Sequence, residues 1–153
     1  MLNRVGKALR IISEDDKRRV GVVIDGPTIL PDFSLAKFKS LKKSLNQIGI
    51  VRTGKVITDN QITLKDSDLL RAQGFNEEIV GSDVDIHVSI RSLEMMANEN
   101  IDVVAIATSD PNLFPVMSRI KRNKSLAVIT WERDITPAIE SIADFIITLD
   151  LLK

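Results

Sequence analysis

The stretch Val20-Gly21-Val22-Val23-Ile24-Asp25-Gly26-Pro27-Thr28 constrains this chain more than any other. Its β-branched run without polar alternation reads as a strand buried on both faces, and Asp-Gly-Pro ends it in a tight turn. Strands covered on both faces belong to parallel sheets with helices above and below. Open sheets of that kind bind ligands outside the carboxyl ends of the strands, where the strand order reverses. Asp25 is thereby placed where chemistry is expected.

The remaining pattern agrees. Further strands are predicted at Ile50 to Thr58, with a bulge or bend at Thr53-Gly54, and at Phe75 to Val80, Ile101 to Thr108, Ser125 to Trp131 and Asp144 to Leu149. Helices are predicted between them. Ser34 caps one whose apolar positions are Leu35, Phe38, Leu41, Leu45 and Ile48, with Lys37, Lys39, Lys42 and Lys43 on its other face. A short helix runs from about Leu64 to Gln73. Gly81-Ser82-Asp83 opens a long one through Met96, with Ile86, Ile90, Leu93 and Ala97 as its buried stripe and His87, Arg91 and Glu94 on another face. Asp110-Pro111 reads as an N-cap with proline at the first helical position, and Thr136-Pro137 starts the last helix. Strands alternating with helices give an α/β fold, a three-layer sandwich with a central, mainly parallel sheet and helices on both faces.

Residues 1–18 read as an amphipathic helix, with Leu2, Val5, Leu9 and Ile12 on one side, followed by a charged linker; residues 19–153 form the α/β domain. The helix packs on the domain's own surface or docks on a membrane or a partner, and its lack of an aromatic anchor favours the former.

Composition removes several classes of function. Twenty-one basic and 21 acidic residues leave no net charge, so a nucleic-acid site has to be a local patch, such as Lys37 to Lys43 or Arg119 to Lys124. No cysteine is present, which removes disulfides and thiolate ligands, and a single histidine, His87, leaves no multi-histidine metal site. No apolar run reaches the roughly 18 residues of a membrane span and no signal-peptide pattern appears, so a soluble cytoplasmic protein is expected. There is no Gly-x-Gly-x-x-Gly or Walker loop after the first strand, which argues against dehydrogenase and kinase chemistry.

What remains is acidic. Asp25 and Asp110 end two buried strands, and Asp83 and Asp85 stand at a helix entrance. If the strands of Asp25 and Asp110 are neighbours, the acids converge on one sheet edge, and a divalent cation is the usual remedy for their repulsion. Oxygen-only ligation favours Mg²⁺ or Mn²⁺. Each acid also has an ordinary structural use, Asp25 in its turn, Asp110 as an N-cap, Asp83 and Asp85 at the positive end of a helix dipole.

These segments resemble the NYN domains, relatives of the PIN-type nucleases, and in particular an archaeal branch. Ile24-Asp25-Gly26-Pro27 is similar to the family's first motif, Asp83-Val84-Asp85-Ile86 through Leu93-Glu94 to its acidic helix entrance, and Asn100-Ile101-Asp102 through Thr108-Ser109-Asp110 to the strand of its third motif. Phe114-Pro115-Val116 and Ser141-Ile142-Ala143-Asp144 fit as well. The resemblance implies a PIN-like fold and a Mg²⁺- or Mn²⁺-dependent endoribonuclease, with Asp25, Asp85 and Asp110 as metal ligands and Asp83 as a nearby helper. Asn112 or Thr28 would position the attacking water. It also implies RNA as partner and a homodimer by analogy. Three positions depart from the family pattern: Thr28 replaces an asparagine, and Arg91 and Asn112 replace aspartates. Those departures support the alternative, a catalytically degenerate member that acts as an RNA-binding or protein-interaction module.

Overall fold

In the computed structural model residues 3–4, 17–59 and 63–153 are described. Chain order runs β1 (Asn3–Arg4), β2 (Arg19–Asp25), α1 (Gly26–Ile29), α2 (Phe38–Ile48), β3 (Ile50–Thr58), α3 (Leu64–Ala72), β4 (Phe75–Ile79), α4 (Val84–Ala97), β5 (Val103–Ala107), α5 (Phe114–Lys121), β6 (Ser125–Thr130), α6 (Pro137–Ile142) and β7 (Phe145–Thr148). Short 3₁₀ turns join several of them. All strand pairings are parallel, in the order β1-β7-β6-β5-β2-β3-β4. The fold is the α/β sandwich that the sequence predicts.

The strand order reverses between β2 and β5. From β2 the chain winds outward through β3 and β4, then crosses by way of α4 to β5 and winds the other way. Val20, Val22 and Ile24 enter one core with Phe38, Leu41 and Leu45 of α2; Val23 enters the other with Val88 of α4 and Met117 of α5. That alternation within a continuous apolar run is what burial on both faces requires.

Close approach sets the remaining geometry. The Phe38 and Phe75 rings meet edge to face, 4.8 Å apart, on the α2 side of the sheet. A Cβ on Gly54 would lie 2.5 Å from the Phe75 ring, so glycine there makes room for that ring. The bulge in β3 falls one residue before Thr53-Gly54: Val20 pairs with Val51 and Gly21 with Thr53, leaving Arg52 as the extra residue.

Two expectations need correction. Asn3–Arg4 is not helical but an edge strand beside Phe145 and Ile146; the rest of the amphipathic stripe, Leu2, Val5, Leu9 and Ile12, lies outside the described residues. On α4 the buried face is Val88, Ser92 and Met95, whereas Ile86 and Ile90 are 53% and 47% exposed. Leu93 is half-buried and Ala97 exposed. The helix carries two stripes of similar period, and small residues decide between them. Met95 Sδ would lie only 2.8 Å from a Cβ on Gly21, and Ser92 is fully buried with its hydroxyl donating to the Val88 carbonyl at 2.7 Å. Glycine on the strand and serine on the helix let α4 lie close to the sheet on that side. Among the described residues no helix is long and apolar enough to cross a membrane.

Candidate active site at the carboxyl edge

Among the described residues four strands end in or run into a threonine that was not picked out as a site residue: Thr58 in β3, Thr108 directly after β5, Thr130 in β6 and Thr148 in β7. All four are buried, as is Asp25 at the end of β2, which is 2% exposed. Ile24 is in register with Ala107, Ala107 with Ile129, and Thr130 with Thr148, so Asp25, Thr108, Thr130 and Thr148 form one row across the sheet. Their neighbours Ile24, Ala107, Ile129 and Ile147 all enter the α2-side core. By alternation the row faces α4, α5 and α6. The recurring Ile-Thr or Ala-Thr at the strand ends was the available signal.

Asp25 is not used as a turn or cap residue. Its backbone opens α1, and the carboxylate makes no side-chain cap. Instead the Thr108 hydroxyl donates to Asp25 Oδ2 at 2.7 Å. Thr108 Oγ1 also accepts the Asp110 amide at 2.9 Å, which ties the loop after β5 to the end of β2. Gly26 permits the tight exit from β2, because a Cβ there would lie 2.6 Å from the Ile57 carbonyl oxygen. Thr28 braces the same loop. Its hydroxyl accepts the Ser109 amide at 3.1 Å and donates to the Asp25 carbonyl at 3.3 Å, and so holds Ser109 in place.

Burial raises the Asp25 pKa above the ordinary carboxylate value. The hydrogen bond from Thr108 opposes the shift, with the Thr28 hydroxyl nearby acting in the same direction, and the negative charges of Asp110 and Asp85 add to it. The three acids therefore share one electrostatic neighbourhood. Asp85 sits in the first turn of α4. Asp110 caps the turn that leads into α5, its Oδ1 accepting the amide of exposed Asn112 at 2.9 Å. Asp83 turns the chain into α4 with φ +54°, a left-handed conformation that aspartate tolerates better than most residues. Its carboxylate accepts from the Ser82 hydroxyl at 3.1 Å.

Arg91 neither faces the acids nor awaits a phosphate. Its guanidinium forks onto Glu78 of β4, Nε to Oε2 at 2.8 Å and Nη2 to Oε1 at 2.7 Å, and Nη1 reaches Glu94 at 2.5 Å. The basic segments are partly engaged as well. Lys42 donates to the Gln73 carbonyl, Lys121 pairs with Asp144, and Lys124 donates to the carbonyls of Asn98 and Ile101.

The donor set is suited to a hard divalent ion: oxygen atoms only, with repulsion between the carboxylates to relieve. Among the described residues no three His, Cys, Asp or Glu side chains gather closely enough to enclose one ion. Mg²⁺ does not need such a cage, since it commonly binds through one or two carboxylates and keeps several waters.

The family model described as the NYN domain matches residues 19–150. An uncharacterized protein of Methanocaldococcus jannaschii is 28% identical over 134 residues, a match that covers 87% of this chain and 56% of the relative. The chain thus spans about half the length of that curated relative. A crystal structure of a protein of unknown function from Vibrio parahaemolyticus shares the fold with a TM-score of 0.72 at 18% identity, covering 92% of this chain and 98% of that one. Sequence and fold agree, and the chain belongs to the NYN domain family.

Proposed function

We propose that the chain is a divalent-metal-dependent endoribonuclease whose site is the edge formed by Asp25, Asp85 and Asp110, with Asp83 and Asn112 beside it. One observation carries the reading. Asp25 is a buried carboxylate at the switch point, excused from capping, with its ionisation opposed by two neighbouring acids. Such a group is costly to keep unless something nearby uses its charge.

Hydrolysis adds water across a phosphodiester: a bond forms between the water oxygen and phosphorus, and a bond from phosphorus to a ribose oxygen breaks. When bound there, Mg²⁺ or Mn²⁺ would supply a nucleophile at neutral pH and offset charge on the phosphate. Asp25 and Asp110 would hold the ion, with Asp85 adding charge and Asp83 assisting from the helix entrance. Thr108 orients Asp25 and positions the Asp110 backbone; Asn112, exposed on the next turn, orients the attacking water through its amide.

A second reading is favoured by a specific observation, the absence of three closely gathered acids among the described residues. It makes the chain a degenerate family member that binds RNA, or a protein, without cutting it. Titration calorimetry with Mn²⁺ and Mg²⁺ on the wild type and Asp25→Asn, followed by cleavage of labelled single-stranded RNA in the same buffer, separates the two. Binding and cleavage that vanish together in the variant support the nuclease. A wild type that binds no metal and retains RNA uncut supports the binding module.

A further inference from the structure

The edge described above continues into a cleft of about 400 Å³ between the start of α5 and the start of α6. It shares Thr108, Ser109 and Asp110 with the acidic site and extends away from Asp25 over Phe114, Met117 and Ile139, with Arg133 and Asp134 at its polar side. Its volume falls in the range of roughly 300–1,000 Å³ usual for small-molecule sites, and apolar walls with a few polar groups are the usual lining.

Two of those polar groups are incomplete. Ser109 Oγ and Asp134 Oδ2 are buried and have no hydrogen-bond partner among the described residues. Arg133 Nε lies 3.7 Å from Asp134 Oδ2, which is an ion pair but too long for a hydrogen bond. Buried polar atoms are normally satisfied by protein or water, and Asp134, which lines the cleft with its side chain 29% exposed, has acceptor capacity left for a ligand there.

We propose that this cleft seats one nucleobase of the RNA, and that Asp134 selects guanine. A carboxylate only accepts hydrogen bonds. Guanine alone among the four bases offers two adjacent donors on its pairing edge, N1–H and the N2 amino group. Adenine and cytosine offer one amino group each on that edge, and uracil one N–H. Phe114 supplies a ring for the base to stack on, in the manner of single-stranded RNA recognition. Arg133 stands at the rim with its side chain 65% exposed and its guanidinium 5.6 Å from the Trp131 ring centroid. Its acidic partner across the fold among the described residues, Asp32, is an exposed contact at 3.4 Å that a phosphate can displace. A base held here leaves its own phosphate beside Asp110, at the acidic edge.

The inference rests on the RNA reading, yet it is tested without cleavage. Backbone amide spectra of the metal-free protein, titrated with GMP, AMP, CMP and UMP, are expected to shift at Ser109, Asp110, Asp134 and Thr136, with GMP bound about tenfold more tightly than AMP. Asp134→Asn removes that preference. Ala138→Trp, placed at an exposed position on the rim, fills the cleft and removes GMP binding while the rest of the spectrum stays in place. No shift with any nucleotide, or equal affinity for all four in wild type and Asp134→Asn alike, overturns the proposal. Mapping of Mn²⁺-dependent cuts in labelled RNA keeps the two readings apart. Cuts clustered beside guanosines support both. GMP binding without any cutting leaves the base site standing and sinks the nuclease, and cutting without base preference does the reverse.

Discussion

The Thr108 hydroxyl donates to Asp25 Oδ2 at 2.7 Å, a contact between residues 83 positions apart that joins the ends of the two strands flanking the switch point. Through a lone pair the same oxygen accepts the Asp110 amide. Thr108 therefore fixes the distance between two acids without being one.

The first prediction concerns Asp25 itself. Its folded pKa is raised, so its contribution to stability is fully present below the unfolded value near 3.8 and is lost as pH rises through the folded one. Asp25→Asn keeps the shape and can still accept from Thr108, yet it never ionises. It is expected to melt at a higher temperature than wild type at pH 7 and at the same temperature below about pH 4, where the wild-type carboxyl is itself protonated. Added Mn²⁺ should raise the melting temperature of the wild type alone. Melting curves across pH, with and without metal, check this; a variant less stable than wild type at pH 7 would refute it.

Thr108→Val is the second. Valine preserves the β-branched shape but leaves the Asp110 amide without its acceptor and Asp25 without its donor. The expected loss is about 1–3 kcal/mol, or roughly 2–4 °C per kcal/mol for a domain of this size. One hydrogen bond that holds the Asp25 pKa down is lost, so half-maximal Mn²⁺ binding should move to higher pH. Calorimetric titrations from pH 5 to 8 measure it, and an unmoved midpoint counts against the coupling.

How much of this was readable beforehand varies with the residue. Val20 to Asp25 was legible because burial on both faces leaves a run that only a central strand satisfies. The three acids were legible because strand ends and helix starts place them on one edge, once β2 and β5 are neighbours. The face of α4 was not legible: Ile86-Ile90 and Val88-Ser92 repeat with the same period, and the choice is made by Gly21 across the sheet. Thr108 read as an ordinary strand former, since nothing local reveals that its hydroxyl answers a residue 83 positions earlier. Arg133 and Asp134 of the cleft sit on a connecting turn, where charge carries no pattern.

Arg91 gives the third prediction. It stands where the resemblance leads one to look for an aspartate, but its guanidinium is fully engaged with Glu78 and Glu94, and the pairing holds the Glu78 pKa below the usual carboxylate value. Arg91→Gln is expected to lower stability by about 1 kcal/mol, the upper end for a partly exposed pair with bidentate geometry. Mn²⁺ affinity and RNA retention at low salt should not change. A variant of intact stability that loses RNA would show that Arg91 serves the ligand after all.

The last prediction uses an acid at the opposite end of the sheet. Arg19 at the start of β2 holds Asp102 with its side chain, Nε to Oδ2 at 2.9 Å and Nη2 to Oδ1 at 3.0 Å, and with its backbone amide at 2.8 Å. Those hydrogen bonds bring the Asp102 pKa down to about 2. A depressed pKa contributes stability that is present above the unfolded value near 3.8 and lost as pH falls through the folded one, so the window is about pH 4 to 2. Asp25 titrates with the opposite sign and above the ordinary carboxylate value, so one acid-denaturation curve run from neutral pH down to pH 2 would carry both. The difference between wild type and Asp102→Asn isolates Asp102, because Asp25 contributes equally to both. That gap in melting temperature should be positive at pH 7, close across the window, and shrink in 1 M salt, since both side chains are more than a third exposed, 37% and 39%. A gap that stays constant down to pH 2 would mean that Asp102 acts through shape rather than charge.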